Sequence, residues 1–349
     1  MHSDRTSKEK SVRYWLWTGA GLIFLMLIIG GITRLTGSGL SMTNWNLVMG
    51  TIPPLDHSSW LQAFDRYKQF PEYRQLNFGM TLPQFKAIFF WEYLHRLLGR
   101  LIGLVFFIPL VWFWWRGYFD RSLKKKMSVL LGLGILQGAM GWIMVKSGLV
   151  DNPHVSHYRL AMHLTLAFIL LGCCIWFALD LRDGKVIRHT PGKKQIKRWL
   201  LVIAVFFFVQ IAWGAFVAGL HAGKIYNTFP LMNSRWIPSH AWSLKPVLLN
   251  LLANPGTVQW IHRIVGTLLT LVVILLWIKV QMAQTEPIIQ KRALALLVIV
   301  LLQYALGVFT LLNHVPVALG VTHQAGAMLF WIGWLFLFNP LYRMEQQPQ

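Results

Sequence analysis

The stretch Trp91-Glu92-Tyr93-Leu94-His95-Arg96-Leu97-Leu98-Gly99 opens a long apolar run, and Val258-Gln259-Trp260-Ile261-His262-Arg263-Ile264-Val265-Gly266 opens another 167 positions later. In both, a His-Arg pair stands at the mouth of the run with a glycine four residues beyond the histidine. Deeper in each half, Gln137-Gly138-Ala139-Met140-Gly141 is echoed by Gln303-Tyr304-Ala305-Leu306-Gly307 at an offset of 166. Two motifs recurring at nearly one offset mark a duplicated unit, the pattern of membrane proteins built from internal repeats.

Outward from these motifs, apolar segments of about 20 residues, the length that crosses a bilayer as a helix, recur eight times. They lie near 14–33, 93–115, 127–146, 159–181, 199–219, 259–280, 292–312 and 321–339. The composition agrees: 55% of the 349 residues are hydrophobic and 13% charged, against about a quarter charged in soluble domains. The expected fold is therefore an all-α integral membrane protein, with eight transmembrane helices arranged as two pseudo-symmetric four-helix bundles. The first bundle covers residues 1–185 and the second 186–349. An even number of spans per unit makes the repeats parallel, related by an axis along the membrane normal. Intervals 34–91 and 220–258, rich in Pro, Trp, Asn and Gly, read as long outer loops carrying short helices.

The net charge of +21 could suggest nucleic acid, but the basic residues fall in short clusters between apolar runs, which is a topology signal. Arg5, Lys8, Lys10 and Arg13 precede the first span. Arg116, Arg121 and Lys124 to Lys126 follow the second, and Arg182, Lys185, Arg188, Lys193, Lys194, Lys197 and Arg198 follow the fourth. Lys279, Lys291, Arg292 and Arg343 continue the same side. Both termini are thus expected in the cytoplasm and both long loops outside. The polar start runs directly into a span too long for a cleaved signal. Cys173 and Cys174 are adjacent within an apolar run, where an ordinary disulfide cannot readily close, and read as buried filler.

Of 12 histidines, His95, His163, His262 and His323 alone fall within spans, each in the first turns of an even-numbered one. All four are therefore expected at similar depth near the outer face, and an ionisable group inside a membrane helix marks function by default. Zinc or copper would call for additional carboxylate or thiolate ligands; only Glu92 is near, and in one half only. Haem iron needs one or two axial imidazoles and a flat space between helices. One turn deeper than each histidine stand Gly99, Ala167, Gly266 and Ala327, small enough for a porphyrin plane to lie against the backbone. Arg96 and Arg263 follow a histidine directly and Arg159 lies one turn outward from His163, so all three are candidates to pair with propionates. One asymmetry divides the halves. Glu92 shares a helical face with His95, whereas its counterpart is Gln259. A carboxylate beside a porphyrin can accept a proton or orient water, which makes Glu92 a catalytic candidate.

At these residues the chain resembles the haem A synthase family of mitochondria and proteobacteria. The resemblance rests on Gly30-Gly31-Ile32-Thr33-Arg34-Leu35-Thr36-Gly37-Ser38-Gly39-Leu40-Ser41 leading to Trp45, on Glu92-Tyr93-Leu94-His95-Arg96 and on Gln137-Gly138. It continues through Arg159-Leu160-Ala161-Met162-His163, Phe216-Val217-Ala218-Gly219-Leu220-His221-Ala222-Gly223 leading to Asn227-Thr228-Phe229-Pro230, His262-Arg263 and His323-Gln324. It implies an enzyme of the membrane that oxidises the ring methyl of haem O to the formyl group of haem A for terminal oxidase assembly, with oxygen taken from water. By the same resemblance His95 and His163 bracket the substrate haem O, His262 and His323 hold a resident haem b, and Glu92 is the essential carboxylate. Haem O synthase and oxidase assembly factors become the implied partners, with the electron acceptor and any homo-oligomer left open. A bacterial cytoplasmic membrane is the implied location. Some bacterial relatives carry a cysteine pair in the first outer loop; this chain has none there, so a loop disulfide takes no part. The competing reading is a b-type electron-transfer cytochrome with two bis-histidine haems.

Overall fold

A computed structural model describes residues 2–43, 52–148, 155–181 and 190–343. Trp45, Arg182, Lys185 and Arg188 lie outside the described residues. Eight helices there are long and apolar enough to cross a membrane: α1 (His2–Leu35), α4 (Leu82–Trp115), α5 (Arg121–Gly148), α6 (His157–Asp180), α7 (Lys193–Gly219), α9 (Pro255–Met282), α10 (Pro287–Leu312) and α11 (Val317–Arg343). Two short helices, α2 (His57–Tyr67) and α3 (Pro71–Gln75), precede α4, and α8 (Asn250–Ala253) precedes α9. The chain is a multi-pass membrane protein.

Helix starts follow their local chemistry. Asn254 caps α9 by accepting from the backbone N–H groups of Gly256 (3.0 Å) and Thr257 (3.2 Å), and Pro255 supplies a first residue that needs no N–H partner. Thr81 and Gln84 form a capping box on α4, with Pro83 in its first turn. That cap starts α4 well before the span expected at 93. The added turns carry Phe85 and Phe89, which bury against Phe64 and Tyr67 of α2. Residues 82–91 therefore belong to a continuous helix rather than to a loop; their polar and aromatic content had masked a helix stabilised by packing with α2 and α3.

Helices α1, α6, α7 and α11 share most of the core. α6 packs on α1, α5, α7 and α11, while α1 packs on α4, α6 and α11. Indole N–H groups reach between these helices, Trp331 donating to the Phe168 carbonyl (3.1 Å) and Trp334 to that of Leu200 (2.8 Å). Gln324 of α11 donates to the Leu27 carbonyl of α1 (2.6 Å). Arg34, near the end of α1, donates to the Ala218 carbonyl on α7 (2.8 Å). In a hydrocarbon setting where apolar contact gains little over lipid, such bonds and close packing hold helices together.

Candidate functional site: two histidine pairs

His95 on α4 and His163 on α6 lie close enough to interact electrostatically, as do His262 on α9 and His323 on α11. The structure thus pairs the four membrane histidines within each half.

How each ring is seated was not anticipated. A Cβ placed on Gly30 would stand 3.0 Å from Cε1 of His95, one on Gly141 3.1 Å from Cε1 of His163, one on Gly214 3.1 Å from Cε1 of His262, and one on Gly307 2.8 Å from Cε1 of His323. Each imidazole edge therefore rests on bare backbone of the span that precedes its own. One turn before three of these glycines stands a glutamine. The amide nitrogens of Gln137 and Gln210 lie 3.4 and 3.2 Å from Nε2 of His163 and His262. That of Gln303 lies 3.1 Å from Nδ1 of His323 and donates to the His323 carbonyl at 2.8 Å. In α1 the same place is taken by Met26, whose Cε would lie 3.3 Å from a Cβ on Gly99. Gly30, Gly141 and Gly307 sat inside recognised motifs and Gln137 and Gln303 inside the repeat, so their recurrence was visible; Gly214 and Gln210 carried no comparable signal.

Several polar atoms here are buried without a hydrogen-bond partner: Nδ1 of His95, His163 and His262, and Oε1 of Gln137, Gln210 and Gln303. Leaving a buried polar group unpaired costs about 1–3 kcal/mol, so such atoms gathered at two equivalent places point to ligand sites. Among the described residues no group of three or more His, Cys, Asp or Glu is placed to hold a bare metal ion. Paired imidazoles with Gly99, Ala167, Gly266 and Ala327 one turn deeper suit a flat metal-bearing macrocycle held from both faces.

Glu92 is buried and fully engaged. Its Oε2 accepts from the Ser41 hydroxyl (2.7 Å) and the Met42 N–H (2.6 Å), and its Oε1 pairs with Arg96. Arg96 also donates to the Met42 carbonyl (2.8 Å). The carboxylate thereby clamps the segment after α1 onto α4. Gln259 makes the same clamp with reversed polarity: its amide donates to the carbonyls of Ala222 (2.9 Å) and Tyr226 (3.2 Å) and accepts from Arg263 (3.1 Å). Arg263 donates to the Tyr226 (2.7 Å) and Thr228 (2.9 Å) carbonyls, and Arg159 to the Ile143 carbonyl (3.1 Å). All three candidate arginines thus hold backbone close to the paired histidines.

A second buried carboxylate, Glu72 of α3, escaped sequence reasoning because a five-residue helix has no usable periodicity. The Tyr67 hydroxyl donates to it (3.1 Å), and it senses the charges of Glu92 and Arg34. Burial pushes its pKa up to about 8. Cys173 and Cys174 are free thiols in α6, as read from sequence.

Residues 13–334 match the family described as cytochrome oxidase assembly protein. A haem A synthase of Nitrosospira multiformis is 43% identical over 336 residues, covering 96% of this chain and 94% of that protein. The haem A synthase of Nitrosomonas eutropha is 42% identical over 342 residues (97% and 96% covered), and that of Rhodospirillum centenum 44% identical over 341 residues (97% and 90%).

Proposed function

Because the chain belongs to the cytochrome oxidase assembly protein family, we propose that it is a haem A synthase of a bacterial inner membrane, both termini cytoplasmic, with its reaction in the first half. The observation that carries the reading is the pairing of His95 with His163 and of His262 with His323, each ring seated on a glycine and carrying or facing unpaired polar atoms. In this reading residues 1–185 form the substrate unit and 186–349 the cofactor unit. His95 and His163 bracket haem O; His262 and His323 hold a haem b.

Converting the ring methyl to a formyl group with water as oxygen source releases electrons and protons in equal number. Haem b, when bound, supplies a redox centre that can relay electrons towards an acceptor. The chain's own residues orient, exclude solvent and manage protons. The glycine seats fix the imidazole edges and Gln137 lies against His163, so the residues that would hold the macrocycle stand pre-positioned. Glu92 shares its face with His95 and is the ionisable member of a clamp whose partner is a neutral amide; a carboxylate there can take protons released at the neighbouring ring. Arg96 keeps that carboxylate turned towards the Ser41–Met42 segment. α2, α3 and the outer turns of α4 cover this end of the half with an aromatic cluster that includes Phe64, Tyr67, Phe85 and Phe89, which limits water to what the polar clamp admits.

Co-expression with a haem O source, followed by pigment extraction from the purified protein, tests the reading. Haem A in the membranes, and haem O or haem A beside haem b on the protein, is the expected result. Haem b alone in both halves, with no haem A formed, would establish a b-type electron-transfer cytochrome instead.

A further inference from the structure

The two halves differ in one seam. In the second half α9 and α10 pack along their length; in the first, the corresponding α4 and α5 scarcely touch. The repeat offsets identify the cause residue by residue. Tyr304 on α10 reaches across to α9, its hydroxyl 2.9 Å from Oγ1 of Thr267, and Val300 and Thr270, one turn along their helices from these two, are buried. The matching positions in the first half are Gly138, Arg100, Gly134 and Gly103. A Cβ on Gly103, Gly134 or Gly138 would meet no atom within 4 Å. Bulky, bonded side chains thus close one seam, and three glycines line open space in the other.

Open glycines alone would say little, since a lipid-facing helix can carry them. The seam, however, runs to unsatisfied polar atoms. Gln137 stands between Gly134 and Gly138, its Oε1 buried and unpaired, and so are the ring nitrogens Nδ1 of His95 and His163. Gly103 lies two turns beyond His95 on the same side of α4, with Gly99 between them packed against Met26 of α1. The open strip of Gly103, Gly134 and Gly138 therefore reaches the histidine pair beside Gln137, whose amide nitrogen lies 3.4 Å from Nε2 of His163.

We propose that the seam between α4 and α5 is a lateral portal, through which a flat tetrapyrrole with a long isoprenoid tail passes from the bilayer to His95 and His163 and leaves again as product. The inference rests on the first half being the substrate site. A substrate too apolar to cross water gains by arriving from lipid, its tail lying between the helices while the ring enters edge-on. Glycine suits such a surface because the backbone itself forms the wall, with no side chain to displace. The second half keeps its macrocycle for many turnovers, and the Tyr304–Thr267 bridge locks it in.

The test transplants the lock. Full-length protein carrying Gly138→Tyr with Arg100→Thr, and separately Gly134→Val, is placed in lipid nanodiscs and mixed with haem O, and uptake is followed by absorbance. Haem b content reports an intact second half. Uptake slowed at least tenfold in both variants, with haem b retained, is expected; uptake at the wild-type rate with haem b retained would overturn the portal. If the filled variants lose haem b, the converse variant Tyr304→Gly decides. Exchange of its haem b for added haem should accelerate at least tenfold, and unchanged exchange would refute the lock and with it the portal. Should the wild-type protein take up no haem O, the substrate-site reading falls first, and that outcome is distinct from slowed uptake.

Discussion

The first and second halves share the parts that seat an imidazole and diverge in the parts that handle charge and access. Both place histidines on glycines of the preceding span and clamp the segment after their first span through the residue three before a histidine. Against that common plan, the first half has a carboxylate where the second has an amide, an open seam where the second is bridged, and a helical cap where the second loop is largely irregular. The contrast teaches that one way of seating a histidine on a glycine is used for both pairs, and that the differences are concentrated in a few residues around the first pair. The largest expected effects break the holders themselves. His262→Ala should remove the haem b signal from reduced-minus-oxidised spectra while leaving haem O binding measurable. His163→Ala should do the reverse, abolishing haem A formation while haem b persists. Loss of both pigments in either variant would show that the halves do not act separately.

Next in size is the exchange of the clamp residues. Glu92→Gln removes a group able to take a proton, and general-base contributions of about 10²–10⁴-fold set the expected fall in haem A formation, measured against unchanged haem b content. The structure sharpens the design of this experiment. Glu92 accepts from Ser41 and Met42, so the amide oxygen of a glutamine can keep those bonds and lose chiefly the ion pair with Arg96. Gln259→Glu is the informative partner. A carboxylate there would face the carbonyls of Ala222 and Tyr226, and replacing two donated bonds by repulsion should destabilise the second loop by about 1–3 kcal/mol without creating haem A chemistry in that half. Normal haem A output from Glu92→Gln would reduce Glu92 to a structural clamp.

Much of this was legible in the sequence because membrane helices announce themselves. Eight apolar runs, the positions of four histidines and the Glu92–Gln259 asymmetry all follow from spacing. The boundaries of α4 did not, because Phe85 and Phe89 are buried by α2 and α3 rather than by lipid. Nor did the seats: a glycine in a span is common, and only the folded structure shows that Gly30, Gly141, Gly214 and Gly307 each lie against a histidine. The clamp's alternative meaning was equally hidden. Sequence placed Glu92 beside His95, but not its bonds to Ser41, Met42 and Arg96, which bury the carboxylate whether or not it moves a proton. Glu72 was invisible, since its environment is assembled by a short loop helix.

A smaller effect probes the seats. Gly214→Ala and Gly30→Ala would each push a methyl to about the same distance from an imidazole edge (3.1 and 3.0 Å), close enough to turn the ring. Both should shift the low-spin haem signals in electron paramagnetic resonance rather than eliminate binding, the former for haem b and the latter for bound haem O. The surrounding partners should grade the response. His262 is steadied by Gln210, whereas the α1 position that would steady His95 carries Met26, with no amide to offer. The Gly30 variant is therefore expected to show the broader distribution of ring orientations. Equal line widths in the two variants would mean that the glutamines do not position the rings.

The smallest expected effect lies outside the spans, in the two loops. Burial raises the Glu72 pKa to about 8 from its ordinary 4.5, with the charge of Glu92 adding to the rise and the Tyr67 hydroxyl and Arg34 opposing it. A folded-state value above the unfolded one means that the folded cap holds the proton more tightly. Its contribution to stability is complete below about 4.5 and is lost as pH climbs through about 8. Amide hydrogen exchange of α2 and α3 should therefore accelerate, after correction for intrinsic rates, as pH rises from about 4.5 to about 8, and level off above it. Glu72→Gln has no proton to lose and should flatten that dependence. The second loop supplies the control, being tied by neutral amides: Asn250 exchanges bonds with Leu244 (3.0 and 2.9 Å), and Asn254 donates to the His240 carbonyl (2.7 Å). Its protection should depend less on pH over the same range in both proteins. A wild-type cap no more sensitive to that rise in pH than the second loop would mean that Glu72 is held ionised, and that the first half carries two buried negative charges compensated by Arg34 and Arg96.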